Sequence, residues 1–351
     1  MEYLADFLLF LAKTVTLIGG LLMIVAIIGS LGQKSKKLHK GHLEITKLNE
    51  HYQHLQDDLK HALLDSEQIK KETKEKAKEE KKKAKEMKKA RKDKSWEPEP
   101  KNRVFILDFN GDIRASAVKS LREEITAVLS MANPDTDEVI VRLESGGGLV
   151  HSYGLASSQL LRIRNKGIKL TVTVDKVAAS GGYMMACTAD HIVAAPFAVI
   201  GSIGVMAQLP NINRLLKKHE IDVELHTAGE YKRTLTVLGE NTEKGREKFK
   251  QDMEDTHTLF KDFVSTQREQ LDIAEVSTGE IWYGQTALDK KLVDELKTSD
   301  EYVYGKVDEA ELIQITYEIK KGVAGKLGLA AESALDNTLL KWWDRMNNWR
   351  M

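Results

Sequence analysis

From Arg103 onward the apolar residues switch repeatedly between a period near two and a period near 3.6, and nothing else in the chain limits the fold as tightly. Residues 104–109 read as a strand. Residues 116–131 read as an amphipathic helix with Val118, Leu121, Ile125, Val128 and Leu129 inward. Residues 138–143 form a second strand, which runs through Ser145-Gly-Gly-Gly148 into a helix ending near Asn165. Residues 170–174 are β-branched and strand-like, and a turn at Ser180 follows them into a helix of small and apolar residues. Further short strands are expected at 191–195, 205–208 and 222–226, and a long helix at 242–270. Repeated β-α units of this kind predict an α/β domain with a mainly parallel sheet covered by helices.

Ahead of this domain the chain is built differently. Residues 14–31 carry no charge, and Lys13 is the single charge between Phe7 and Leu31. At about 1.5 Å per residue the run crosses a bilayer core of about 30 Å, which predicts an uncleaved, single-pass anchor in membrane lipid. Basic residues follow the run rather than precede it, and no small-x-small cleavage site stands out, which argues against a removed signal peptide. Ile45, Leu48, Tyr52, Leu55, Leu59 and Ala62 then recur in steps of three and four, as in a short coiled coil. Residues 69–94 are almost entirely Lys, Glu and Ala with some Arg, a solvated helix or spacer. They lack aromatic residues for stacking on bases, so nucleic acid is not expected as a partner. Pro98 and Pro100 mark the boundary.

The expected domains are therefore residues 1–33 as anchor, 34–100 as coiled-coil-like and Lys/Glu-rich spacer, 101–300 as the α/β domain, and 301–351 as an extension. In the extension, residues 312–319 alternate like a strand. Residues 330–351 carry Trp342, Trp343 and Trp349 on an expected helix suited to a membrane or subunit contact. The chain has 53 Lys and Arg against 53 Asp and Glu, so its net charge indicates no partner. Cys187 is the single cysteine, which excludes an internal disulfide and a thiolate metal cluster.

Two glycine-rich turns end strands of the same expected sheet. They can face each other across its carboxyl edge, where α/β sheets place their sites. Ser180 has two readings. It is either a helix cap with glycines for close packing, or a nucleophile with the Gly181 N–H aimed at an oxyanion. A backbone N–H of Gly147 or Gly148 could supply the second donor. The Gly-Lys-Ser/Thr ending of a phosphate loop is absent. A nucleophilic serine also needs a base. His151, His191 and His226 lie near in sequence, but none has a context that singles it out. A lysine serves when burial favours its neutral form, and Lys232 follows Gly229-Glu-Tyr231, one lysine among many.

Ala179-Ser-Gly-Gly-Tyr, Gly201-Ser-Ile-Gly204 and Tyr231-Lys232 resemble the three signature segments of the signal peptide peptidase A family. The likeness to its membrane-anchored branch runs along nearly the whole chain. It implies a ClpP/crotonase-like fold and a serine endopeptidase with a Ser–Lys dyad. Ser180 would be the nucleophile, Lys232 the base 52 positions later, and Ser202 the hydroxyl that orients the amine. Gly181, Gly147 and Gly148 would form the oxyanion hole. No metal or organic cofactor is required. The implied substrates are signal-peptide remnants or other apolar membrane peptides, and the implied assembly is a homo-oligomer. Two positions depart from the pattern: Gly146 stands where proline is usual, and Lys291 where a glycine usually opens Gly-Leu-Val-Asp.

The resemblance implies an inner-membrane protein with its catalytic domain on the periplasmic side. Lys34, Lys36, Lys37 and Lys40, just after the apolar run, place that domain in the cytoplasm by the positive-inside rule. Two other classes compete with the peptidase: a membrane scaffold on the same fold that binds apolar peptides without cleaving them, and a crotonase-type acyl-CoA enzyme. The latter lacks an evident carboxylate pair for activating water.

Overall fold

The computed structural model describes residues 41–65 and 102–319, with isolated positions at 13, 16 and between 74 and 85. Among the described residues no helix is long and apolar enough to cross a membrane. The expected anchor lies outside them apart from Lys13 and Thr16. So do most of the Lys/Glu-rich stretch and all of the Trp-rich helix at 330–351. The chain divides into two compact units, Glu44–Thr316 and Met1–Leu43 with Tyr317–Met351. The second has only residues 41–43 and 317–319 in the continuous described stretches, at the two ends of strands.

In chain order, β1 (His42–Lys47) and α1 (Leu48–Leu63) come first. Then β2 (Arg103–Gly111), α2 (Val118–Leu129), β3 (Asp137–Ser145), α3 (Val150–Asn165) and β4 (Lys169–Val174) alternate as expected. β5 (Val177–Ala179) leads into α4 (Gly181–Ala186), followed by β6 (His191–Ala194) and β7 (Val199–Gly201). α5 (Asn213–Lys218) is short and α6 (Glu243–Gln267) long. The chain continues through α7 (Ile273–Val276), β8 (Ile281–Tyr283), α8 (Gly284–Asp289), β9 (Glu295–Leu296), α9 (Ser299–Tyr304) and β10 (Glu311–Glu318).

The sheet runs β1-β10-β2-β3-β4-β6-β9, and β5-β7-β8 branch from the end of β3. Every pairing from β10 to β9 is parallel. The branch arises because β3 outlasts β4. Residues Glu138–Arg142 pair with β4, whereas Ser145 pairs with Ala178 of β5. β2 and β3 are buried on both faces, which explains their near-continuous apolar runs. Phe105, Leu107 and Phe109 enter the main core with Leu121, Ile125, Tyr153 and Leu160 of α2 and α3. Val104 and Ile106 enter a smaller cluster on the opposite face with Leu48, Val303 and Leu312. The resulting mixed α/β fold is sheet-based, with helices on both faces.

Three expectations change. Ile45 lies in β1, not in the helix; the helical seam starts at Leu48, which is buried against the sheet. Asn49 fixes that junction by donating to the Val307 and Ala310 carbonyls and accepting the Leu312 N–H. Residues 205–208 and 222–226 are not strands. Their alternation is real, but among the described residues no strand pairs with them, so propensity is not converted into pairing.

Lys291 is explained by its backbone. The Lys291 N–H donates to the Leu288 carbonyl and the Leu292 N–H to Ala287, a Schellman ending for α8. That places Lys291 at the left-handed position, with φ 61°, where glycine pays no Cβ penalty. Lys291→Gly should therefore raise unfolding stability by about 0.5–1 kcal/mol, read as an upward shift in the chemical-denaturation midpoint. A lower midpoint would count against that assignment.

Candidate active site

The site forms where the sheet branches. Ser180 sits between β5 and α4 with φ 53° and ψ −120°, a region a side chain rarely adopts. Its N–H donates to the Gly201 carbonyl at 2.8 Å, and its own carbonyl accepts the Met184 N–H at 2.9 Å. The chain therefore turns sharply from strand to helix at this residue. The N–H groups of Gly181, Gly182 and Tyr183 precede the first helical bond of α4.

The glycines around Ser180 are explained by close approach. Gly147 has φ +87°, and a Cβ there would lie 2.6 Å from the Gly181 nitrogen and 2.8 Å from Ser180 Cβ. A Cβ on Gly181 would strike the Tyr153 ring at 2.4 Å, and one on Gly182 the Ser145 carbonyl at 2.3 Å. A Cβ on Gly148 would strike the Ile113 carbonyl. The two glycine turns thus meet backbone to backbone.

Ser202 comes next to Ser180 through register. β5 and β7 pair with Ala179 opposite Gly201, so the next residue on each strand is a serine. Ser202 also has a left-handed backbone, φ 51°, and its N–H donates to the Glu280 carbonyl at 2.6 Å. The structure therefore gathers Ser180, Gly181, Gly147, Gly148 and the Ser202 backbone at one corner of the sheet.

Lys232 is placed differently. It is exposed, in a loop whose N–H donates to the Gly229 carbonyl at 3.2 Å. Its neighbours lean on the start of α6. Glu230 pairs with Lys244 at 2.5 Å, and the Tyr231 ring lies 5.9 and 5.8 Å from the Lys244 and Lys248 ammonium groups. Among the described residues no hydrogen bond joins Lys232 to Ser180 or Ser202. Of the histidines, His191 pairs with Glu295 at 3.0 Å and the exposed His226 with Glu224 at 3.1 Å. His151 is exposed beside an apolar cavity.

That cavity, about 750 Å³, opens between α3, α4 and α6. Val150, Met184, Val205, Phe249, Phe260 and Phe263 are among its lining residues. Met184, one helical turn beyond Ser180, is the α4 residue that lines it. Its neighbours Tyr183 and Met185 are fully buried in the core. Leu209 is exposed rather than part of the cavity lining.

Sequence reasoning missed a set of hydroxyls beneath the first glycine turn. Ser145 Oγ lies 2.6 Å from the Tyr153 hydroxyl, which donates to the Asp112 carbonyl at 2.8 Å. The Gly147 N–H donates to Ser145 Oγ at 3.1 Å. Nothing in the local pattern of the sequence singles out Tyr153. The available signal was chemical: a buried tyrosine needs a partner for its hydroxyl.

Comparison with known proteins gives a consistent picture. The model of the peptidase family S49 N-terminal region matches residues 2–160, and that of peptidase family S49 matches residues 162–312. "Probable protease SohB" of Haemophilus influenzae is 51% identical over 342 residues, covering 97% of this chain and 96% of that protein. "Probable protease SohB" of Buchnera aphidicola subsp. Schlechtendalia chinensis is 50% identical over 305 residues, covering 86% and 99%. "Protease 4" of Haemophilus influenzae is 24% identical over 209 residues, covering 58% and 34%.

Proposed function

The chain belongs to peptidase family S49 and is a protease, and on that premise we propose that it cleaves peptide bonds with a Ser180–Lys232 dyad. The observation that carries this reading is the backbone of Ser180. A left-handed serine, wedged between strand and helix against a glycine turn, is costly to hold, by on the order of 1–3 kcal/mol. A capping role does not need that conformation, and no side-chain capping bond is made by Ser180. The geometry instead presents its hydroxyl at the start of α4, where unpaired N–H groups favour negative charge.

The steps follow from the groups present. Neutral Lys232 accepts the Ser180 proton as the serine oxygen attacks a peptide carbonyl. The tetrahedral oxyanion is held by the Gly181 N–H and, from the facing turn, the Gly148 N–H. The Gly147 N–H is occupied by Ser145, so Gly147 serves as the close-packed hinge of that turn. Collapse of the intermediate breaks the C–N bond, and the lysine ammonium protonates the departing amine. Water then attacks the acyl-serine, giving its proton to the lysine, and Ser180 is regenerated. Ser202, in register beside Ser180, orients the amine.

Apolar peptides suit the cavity that begins at Met184, and signal-peptide remnants left near a membrane are the proposed substrates. The uncharged run at 14–31 supports attachment to the inner membrane. A base lysine must be neutral, which calls for burial, yet Lys232 is exposed in the single chain. Met206, Leu215, Leu225 and Tyr231 of the same segment are exposed as well, Met206 at 87%. A neighbouring copy covering this segment would bury both, so the proposed working form is a homo-oligomer.

The test traps the acyl-enzyme. Full-length protein in mild detergent is mixed with an apolar peptide ester, quenched in acid and mapped by mass spectrometry. The adduct is expected on Ser180. Lys232→Ala should slow acylation by about 10²–10⁴-fold. An adduct elsewhere, or equal rates in the two proteins, would reject the dyad.

A further inference from the structure

We infer that Ser145 and Tyr153 are positioning residues that hold the first glycine turn in its oxyanion-binding form, a turn without the fixed φ that a proline at position 146 would give. The inference rests on Ser180 being the nucleophile, because only then is the turn an oxyanion loop.

Ser145 to Gly148 has three consecutive glycines and no proline, so its backbone has little stiffness of its own. Two kinds of contact supply the stiffness. At the far end, the Leu149 N–H donates to the Ile113 carbonyl at 2.8 Å, against which Gly148 is packed. In the middle, the Gly147 N–H is tied to Ser145 Oγ, and that hydroxyl is held by Tyr153. Tyr153 is in turn fixed by the Asp112 carbonyl at the end of β2 and by burial of its whole ring.

Ser145 is buried, and its hydroxyl has room for nothing larger: a Cβ on Gly111 would lie 2.4 Å from Ser145 Oγ and 2.5 Å from the Tyr153 oxygen. The two hydroxyls thus fill a niche made by a glycine on β2. Their bond sets the peptide between Gly146 and Gly147. That peptide lies one residue before the Gly148 N–H, and Gly147 itself is held at φ +87° against Gly181 and Ala179.

The surroundings of position 146 are compatible with proline. A Cβ there meets nothing within 4 Å, and its φ is not in the left-handed range. Ser145 is extended as the last residue of β3, which is what a residue before proline requires. Among the described residues no hydrogen bond uses the Gly146 N–H, so proline removes no bond.

The experiment measures kcat and KM for an apolar peptide with full-length Tyr153→Phe, Ser145→Ala, and each combined with Gly146→Pro. Tyr153→Phe keeps the ring and its packing but frees the Ser145 hydroxyl. The expected result is a fall in kcat of about 10- to 100-fold with KM nearly unchanged, since a displaced donor acts on the transition state. Adding Gly146→Pro should restore most of the loss without restoring the hydroxyl bond. An unchanged kcat in Tyr153→Phe overturns the inference. So does a fall that Gly146→Pro leaves in place, which assigns Tyr153 to packing alone. Acyl-enzyme trapping at Ser180 in the wild-type chain separates these outcomes from failure of the nucleophile assignment: an adduct there keeps that assignment standing whatever the variants do.

Discussion

Replacing Ser180 by alanine lowers kcat for peptide hydrolysis by about 10⁴-fold or more and leaves the fold intact. The size follows from losing the atom that carries the acyl group, which positioning and oxyanion contacts cannot replace. The tolerance follows from the structure. Among the described residues the Ser180 hydroxyl makes no hydrogen bond, and alanine keeps the same Cβ in the same backbone. Thermal unfolding of Ser180→Ala should therefore match the wild type. Ser180→Gly extends the argument. Glycine adopts φ 53°, ψ −120° without the Cβ penalty, so this equally inactive variant should be more stable by about 1 kcal/mol or more. A structural serine would behave in the opposite way, losing stability and keeping turnover. Substantial hydrolysis by Ser180→Ala would end the case for this nucleophile.

Asp294→Ala should cost about 3–5 kcal/mol of folding stability. Arg268 is 3% exposed and reaches Asp294 with two bonds, 2.9 and 2.7 Å, and the Lys291 carbonyl with a third at 2.9 Å. Asp294 also accepts the Ile192 N–H from β6 at 2.8 Å. Removing the carboxylate leaves a buried guanidinium unpaired and a strand N–H without its acceptor. The neighbouring Tyr183 hydroxyl donates to the Leu292 carbonyl, so the damage lies directly behind α4 and Ser180. Replacing Arg268 and Asp294 together by apolar residues should cost less than Asp294→Ala alone. Equal midpoints for wild type and Asp294→Ala in urea unfolding would refute this account.

The same pair predicts an acid response. Burial alone would raise the Asp294 carboxyl. The Arg268 hydrogen bonds and charge, with the Ile192 N–H, outweigh burial and hold it below its ordinary value. A carboxyl held low when folded contributes fully above its unfolded value of about 4. That contribution is lost as pH falls through the lower folded value. Wild-type stability should drop on that acid side, and Asp294→Ala should show a shallower drop.

Much of this molecule was legible before any coordinates. The alternation of periods from Arg103 onward gave the strand and helix order, because side-chain spacing reports local geometry directly. The glycines at 147–148 and 181–182 announced close approaches, since only glycine fits where a Cβ would strike neighbouring backbone or the Tyr153 ring. Where these signals failed, a partner was missing from the local chain. Residues 205–208 and 222–226 alternate like strands but find no ladder. Tyr183 and Met185 are core while Met184 opens onto the cavity, a difference of one position that depends on where α6 lies.

Composition and local pattern set which segments become strand, turn or helix and which serine occupies the junction. They do so because φ/ψ preference and apolar periodicity act over a few residues. The meeting of the two glycine turns, the alignment of Ser202 beside Ser180, and the Ser145–Tyr153 bond under Gly147 arise only on folding. Each depends on a register between strands far apart in sequence. Register is decided by which faces can be buried together, an energy that no short stretch of chain contains.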